Sequence, residues 1–169
     1  MTSAEGADAL DARLLTALSR EPRASVIALA EQSGVSRNTV HARLNRWDQR
    51  RVLLPFDHRI DPAFLGYPMR AFIRAQLEQQ LLSEVSSALS EIDEVIEVLG
   101  LSGGDDVLIQ VVARDADDLY RVAGQVLAIR GVRRTNTSLV MRELVGRRTL
   151  QLIDKPGALA EERGAFRHS

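Results

Sequence analysis

Six arginines, Arg37, Arg43, Arg46, Arg50, Arg51 and Arg59, stand between positions 36 and 60 against only Asp48 and Asp57. Interleaved with them are Asn38, His41 and Asn45, whose side chains can meet a base edge, and Ser36 and Thr39, whose hydroxyls suit phosphate oxygens. This mixture fits a polyanion. On a helix lying in a major groove, Arg37 suits a guanine edge, Asn38 an adenine edge and His41 a less specific contact, with Asn45 on the same outward side. Ser36, Thr39, Arg46 and Arg50 suit phosphate, which positions without specifying. The same arginines can also be the wet face of an amphipathic helix. Arg43, close to the Val40 and Leu44 side, fits an intramolecular ion pair as well as it fits DNA.

A second group lies in LSGGDDVL, residues 101–108. Backbone N–H groups at Gly103 and Gly104 can hold a carboxylate and Asp106 can pair with an ammonium group, and an amino acid presents both. Gly-Gly-Asp-Asp is also a good hairpin turn, so a purely structural role stays open. Gly100 to Gly104 further satisfies G-x-S-x-G, the hydrolase nucleophile elbow. That elbow leads from a strand into a helix and needs a histidine and an acid nearby; here a strand follows Ser102, and His41, His58 and His168 fall outside its domain. Metal-ligand spacing and phosphate-binding glycine loops are missing from the sequence, so no metal, no cofactor and no enzymatic activity are expected.

Helical periodicity positions the first group. Ala7, Leu10, Leu14, Ala17 and Leu18 mark a helix over 7–19, with Asp8 and Asp11 early, where acids suit the helix dipole, and Glu21-Pro22 ending it. Ser25 caps a second helix carrying Val26, Leu29 and Ala30, which stops at Gly34. Ser36 caps a third, whose Val40, Leu44 and Trp47 face inward and leave Arg37, Asn38, His41 and Asn45 outward. Ala30, Gly34 and Val40 stand where a helix-turn-helix needs a close approach, a positive φ and an apolar seat, although Ser33 is more polar than the residue often found before the glycine.

Val52 to Phe56 is a short β-prone piece, followed by the breakers Asp61-Pro62 and Gly66. Beyond them, Met69 to Leu77 alternates as a strand, Leu82, Val85 and Leu89 recur as a helix, and Val95 to Leu101 is strand-like. Val107 to Ala113 opens a second such unit, with Asp115 capping a helix through Leu119, Val122, Val126 and Ile129, Gly131 ending it and Val132 to Met141 as the last strand. Two units in this order predict a ferredoxin-like sandwich. In VLIQVVA, Leu108 and Val112 face opposite to Val107, Ile109 and Val111. Two helices cover one sheet face only, so apolar residues on the other imply a partner subunit packed face to face.

The chain has 169 residues, 45 % of them hydrophobic, which allows one ordinary domain or two small ones. Cysteine is absent, excluding disulfides and thiolate metal sites. The sequence shows neither a membrane-spanning apolar run nor a leader pattern, so a cytoplasmic location with no membrane partner is expected. The net charge of -1 hides an asymmetry: residues 1–60 carry nine basic side chains against seven acidic, and the remainder thirteen against sixteen. A basic patch on an acidic chain binds polyanions without making the whole surface sticky.

Three stretches resemble the leucine-responsive/asparagine-regulator (Lrp/AsnC) family of feast-or-famine transcription factors. They are Asp8, Asp11, Leu14 and Leu15 as D-x-x-D-x-x-[IL]-L; Arg23, Ser25, Leu29 and Ala30 as R-x-S-x-x-x-LA; and Gly34-Val35-Ser36 with Arg43 and Leu44. Asp61-Pro62 and Leu65-Gly66 fit the connector, and the likeness runs from about residue 7 to about residue 145. Trp47 stands where the family usually has leucine, and Arg51 where it usually has glycine.

The resemblance implies an α+β protein. A helix-turn-helix (winged-helix-like) DNA-binding domain is expected over 1–53, a connector over 54–68, a ferredoxin-like βαββαβ (RAM) domain for dimerisation and effector sensing over 69–146, and a partly disordered extension over 147–169. It implies double-stranded DNA with a pseudo-palindromic site as partner, a dimer able to grow to an octamer, and an amino-acid effector at Leu101, Ser102, Gly103, Gly104 and Asp106, with Thr135 and Thr137 as the family's threonine pair. Two other readings share the layout. One is an enzyme resembling the sirohaem decarboxylases, which needs basic residues around a tetrapyrrole pocket; the other is an architectural DNA-binding protein without an effector.

Overall fold

The structure, a computed structural model, describes residues 7–153. Most of the partly disordered extension expected over 147–169, from Asp154 on and with His168 in it, lies outside the described residues. The chain divides into two compact units: residues up to 55 together with those from 145, and residues 56–144.

Three helices build the first unit: α1, Ala9–Arg20; α2, Val26–Ser33; and α3, Arg37–Gln49. Each begins on a side chain that accepts from the third residue of its helix, Asp8 from the Asp11 amide, Ser25 from Ala28 and Ser36 from Thr39. Asp8 and Asp11 bond reciprocally, a capping box with aspartate in place of the usual glutamate. Leu14, Ala17, Leu29, Ala30, Val40 and Trp47 form the core between the helices. Ser33 is buried and stays satisfied, because its hydroxyl donates to the Leu29 carbonyl at 2.5 Å.

Gly34 ends α2 at φ 68°, ψ 33°, while the Val35 amide donates to the Ala30 carbonyl, the pairing of a Schellman turn. Arg51 does the same for α3: it sits at φ 52°, with its own amide on the Asp48 carbonyl and that of Val52 on Trp47. Residues 52–55 form no strand, contrary to the β-prone pattern. No described segment pairs with them, Pro55 has no N–H to give, and a 3-10 turn follows over Phe56–Arg59. From 145 the chain groups with this first unit, and a 3-10 turn over Leu150–Leu152 contacts α1.

The second unit runs β1 (Met69–Leu77), α4 (Leu82–Ser90), β2 (Val95–Gly100), β3 (Val107–Ala113), α5 (Ala116–Ala128) and β4 (Val132–Leu139). Its sheet has the order β2-β3-β1-β4 with every pair antiparallel, as the ferredoxin-like reading requires. Ala71, Ile73, Ala75 and Leu77 of β1 and Val107, Ile109 and Val111 of β3 pack under Val85 and Leu89 of α4 and Val122 and Val126 of α5. The opposite face carries Arg70, Phe72, Arg74 and Gln76 of β1 beside Val112, Gln110 and Leu108 of β3, with Leu99 of β2 opposite Leu108. Neither α4 nor α5 covers it.

Candidate nucleic-acid interface and effector loop

The capping hydroxyl of Ser36 fixes where α3 starts. It accepts the Thr39 amide at 3.1 Å and lies 2.9 Å from the Thr39 hydroxyl, so both side chains sit at the helix N-terminus where backbone N–H groups favour phosphate. Arg37, Asn38, His41 and Asn45 are exposed along the helix, and none makes a side-chain hydrogen bond or ion pair among the described residues. Arg50 is exposed at the C-terminal end.

The buried side of α3 is organised by a carboxylate. Asp11, 2 % exposed, accepts from Trp47 Nε1 at 3.1 Å, Arg43 Nη1 at 3.0 Å, Arg46 Nη2 at 3.2 Å and the Asp8 amide at 3.1 Å. Arg43 also pairs with Asp8 at 2.6 Å. The intramolecular role is the one the structure shows. Arg46, expected on phosphate, also pairs with Asp11, at 3.2 Å, and its Nε is buried with no hydrogen-bond partner among the described residues.

Burial alone would raise the Asp8 pKa, but the Asp11 amide and the Arg43 guanidinium outweigh it and hold the carboxyl below its ordinary 3.8. Reading Asp11 as a helix-dipole acid missed this hub. The available signal was its place on the apolar stripe, three residues before Leu14 and seven before Leu18, together with an indole where the family has leucine.

In the second unit, the loop between β2 and β3 is tied down onto the end of β1. The Asp106 carboxylate accepts from the Leu77 amide at 2.7 Å and from Gln79 Nε2 at 2.5 Å, and the Asp106 amide donates to the Ala75 carbonyl. Gln76 Nε2 donates to the Gly104 carbonyl at 2.7 Å. Each Asp106 oxygen thus accepts one hydrogen bond that holds the loop. Leu101, Ser102, Gly103 and Gly104 are exposed, Gly103 at φ 134°, and neither glycine amide donates a hydrogen bond among the described residues.

Thr135 and Thr137 register with Ala75 and Ile73, which puts them on the sheet face that bears the helices. Arg74, Arg134 and Asn136 stand on the other. Beside the loop is a cleft of ≈ 210 Å³ lined by Arg74, Asp105, Arg134, Thr135 and Asn136. His58 falls in the same unit as Ser102, contrary to the boundary expected from the sequence, but it shares no hydrogen bond with Ser102 and β3 follows the loop. Among the described residues no three His, Cys, Asp or Glu side chains are grouped to hold a metal, and no helix is long and apolar enough to cross a membrane.

Residues 8–46 match the AsnC-type helix-turn-helix domain and residues 70–150 the Lrp/AsnC ligand binding domain. The HTH-type transcriptional regulator AldR of Mycolicibacterium smegmatis is 35% identical over 143 residues, covering 82% of this chain and 84% of that protein. AldR of Mycobacterium tuberculosis is 33% identical, over 82% and 80%. Among solved structures, E. coli AsnC superposes with a TM-score of 0.75 at 28% identity, covering 85% of this chain and 97% of the other. A transcriptional regulator from Neisseria meningitidis, solved as an L-Met complex, shares the fold with a TM-score of 0.72 at 21% identity, over 82% and 92%.

Proposed function

This chain belongs to the Lrp/AsnC family of helix-turn-helix transcriptional regulators, and on that premise we propose which residues carry its DNA and effector recognition. Arg37, Asn38 and His41 read base edges from the N-terminal half of α3, with Asn45 beside them. Ser36, Thr39, Arg50 and the first amides of the helix grip phosphate. The observation that carries this reading is the division of α3 into two faces. Its buried face spends Arg43, Arg46 and Trp47 on Asp11, while Arg37, Asn38 and His41 stay exposed without side-chain partners among the described residues.

The unit that reads DNA acts in pairs. The sheet face that α4 and α5 leave open, with Phe72, Leu99 and Leu108, packs on its copy in a second chain and brings two α3 helices ~34–36 Å apart, or a multiple of that, on a pseudo-palindromic site. The loop 101–106 and the threonine-bearing strand next to it take a small effector, an amino acid, as the L-Met complex of the Neisseria meningitidis regulator suggests. The effector acts by binding unequally to alternative arrangements of the assembly, since equal affinity shifts nothing.

Electrophoretic mobility shifts on the chain's own upstream region test the DNA half. Affinity should fall steeply with salt, and Arg37→Ala should relax base preference at one position in each half-site at a cost of about 1–3 kcal/mol. Uniform weakening on every sequence would instead make Arg37 a phosphate contact.

A further inference from the structure

The effector loop, on the reading above, lies beside a cleft whose charges can be matched against a ligand. Arg74 and Arg134 supply two guanidinium groups, Asp105 one carboxylate, and Asn136 and Thr135 neutral polar atoms. Arg74 donates to Asn136 Oδ1 at 3.1 Å, while its Nε is 3.9 Å from Asp105, too long for a full hydrogen bond. Arg134 has no ion pair and no side-chain hydrogen bond among the described residues; it is exposed on an edge strand, diagonal to Arg74 across the β1–β4 register. The two arginines, sixty positions apart in sequence, meet only because β4 pairs with β1.

Asp106, expected to pair with an ammonium group, already holds the loop. Asp106 gives one oxygen to the Leu77 amide and the other to Gln79, while Gln76 holds the Gly104 carbonyl. These ties fix the loop so that the neighbouring carboxylate, Asp105, borders the cleft. A cleft with two cations and one anion is complemented by a ligand with two anions and one cation. A neutral amino acid satisfies one arginine and leaves the second uncompensated, whereas planar guanidinium groups bind carboxylates through paired N–H donors.

We propose that the effector of this chain is an acidic amino acid, a dicarboxylate bearing one ammonium group. Arg74 and Arg134 take its two carboxylates and Asp105 takes its ammonium group. The proposal rests on the reading of the loop as an effector site and adds the ligand's charge class.

Isothermal titration and thermal shift of the full chain with L-aspartate, L-glutamate, L-asparagine, L-glutamine, L-leucine and succinate test it. At least one of the two acids should bind, and its own amide should bind about tenfold or more weakly, since only the charge differs. Arg134→Gln should weaken the acid by a similar factor while the unliganded melting temperature stays at the native value, because the Arg134 side chain makes no hydrogen bond or ion pair among the described residues. Asp105→Asn should weaken aspartate and leave succinate unaffected.

Amides binding as tightly as acids, Arg134→Gln binding the acid with native affinity, or succinate matching aspartate would each overturn the proposal. Selective binding of leucine or glutamine would overturn the charge class and keep amino-acid sensing. Binding of none of the five amino acids would overturn the proposal and remove the support for amino-acid sensing.

Discussion

Asp11 shows how a single side chain sets the geometry of α3, the helix proposed to read DNA. A carboxylate 2 % exposed is stable in an interior only when its lone pairs are met, and here an indole, two guanidinium groups and a backbone amide meet them. Three of those donors belong to the C-terminal half of α3, so Asp11 fixes the helix's rotation about its own axis, and that rotation decides which side chains face outward. Asp11→Asn keeps the shape but removes the charge between two arginines and should cost about 2–4 kcal/mol in chemical denaturation. Trp47→Leu restores the residue usual in the family but leaves the carboxylate one donor short, at about 1–3 kcal/mol. Wild-type stability for both variants would mean the hub contributes nothing.

Acid should act through the same cluster. The Asp8 carboxyl is held below 3.8 in the folded chain, so the unfolded chain binds its proton more readily. The stabilisation is present above the unfolded value and is lost as pH falls through the folded one, a window lying below about pH 4. Urea midpoints measured from pH 7 to pH 3 should fall less for Asp8→Asn than for the native chain, since asparagine still caps the helix. Parallel falls would exclude Asp8 from the acid response.

The helix ends of α2 and α3 present the same backbone problem with opposite residues. Gly34 takes φ 68° without a Cβ, whereas Arg51 takes φ 52° with one. An L-residue in that region costs about 1–2 kcal/mol. Arg51→Gly should therefore raise stability by about 1 kcal/mol after the extra entropy of an unfolded glycine is subtracted, and Gly34→Ala should lower it by a similar amount or more. No atom within 4 Å would meet a Cβ at Gly34, so the penalty there is conformational rather than a clash. Thermal melts of the two variants should move in opposite directions, and a destabilised Arg51→Gly would mean the arginine side chain offsets its own strain.

These caps were legible in sequence, because Ser25, Ser36, Gly34 and Asp115 each carry a local mechanism. The expected strand at Val52 to Phe56 failed for the complementary reason: β-propensity describes what a segment fits, and a strand exists only where another strand pairs with it. Asp106 was legible only as a chemical type. Its partners Leu77 and Gln79 lie 29 and 27 positions away, so its commitment to the loop could not be read from neighbours. The Arg74–Arg134 cleft escaped the sequence reading for the same reason, since it depends on the β1–β4 register and not on any spacing along the chain.

At the scale of the whole molecule, the sheet face that α4 and α5 leave open decides, on the proposed reading, whether one DNA-binding head becomes two. Phe72, Leu108 and Leu99 lie there among Arg70, Arg74, Gln76 and Gln110, an apolar centre with a polar surround, as in stable protein interfaces. Alternation in VLIQVVA points to a second covering layer, because a period-2 pattern with apolar residues on both phases needs both faces buried. If that layer is a second copy, an isologous contact follows, and each substitution appears twice in one interface.

Leu108→Glu would then oppose two carboxylates in an apolar seam while leaving the helix-side core of Val107 and Ile109 intact. Light scattering should show a native dimer or larger assembly becoming a monomer that keeps its circular dichroism. DNA affinity should fall by several orders of magnitude on a two-half-site duplex, because the second helix no longer binds intramolecularly, and only slightly on a single half-site. The ratio of the two losses carries the inference. A monomeric Leu108→Glu that binds both duplexes like the native chain would break the link between sheet pairing and DNA reading, and an unchanged assembly would place the interface elsewhere.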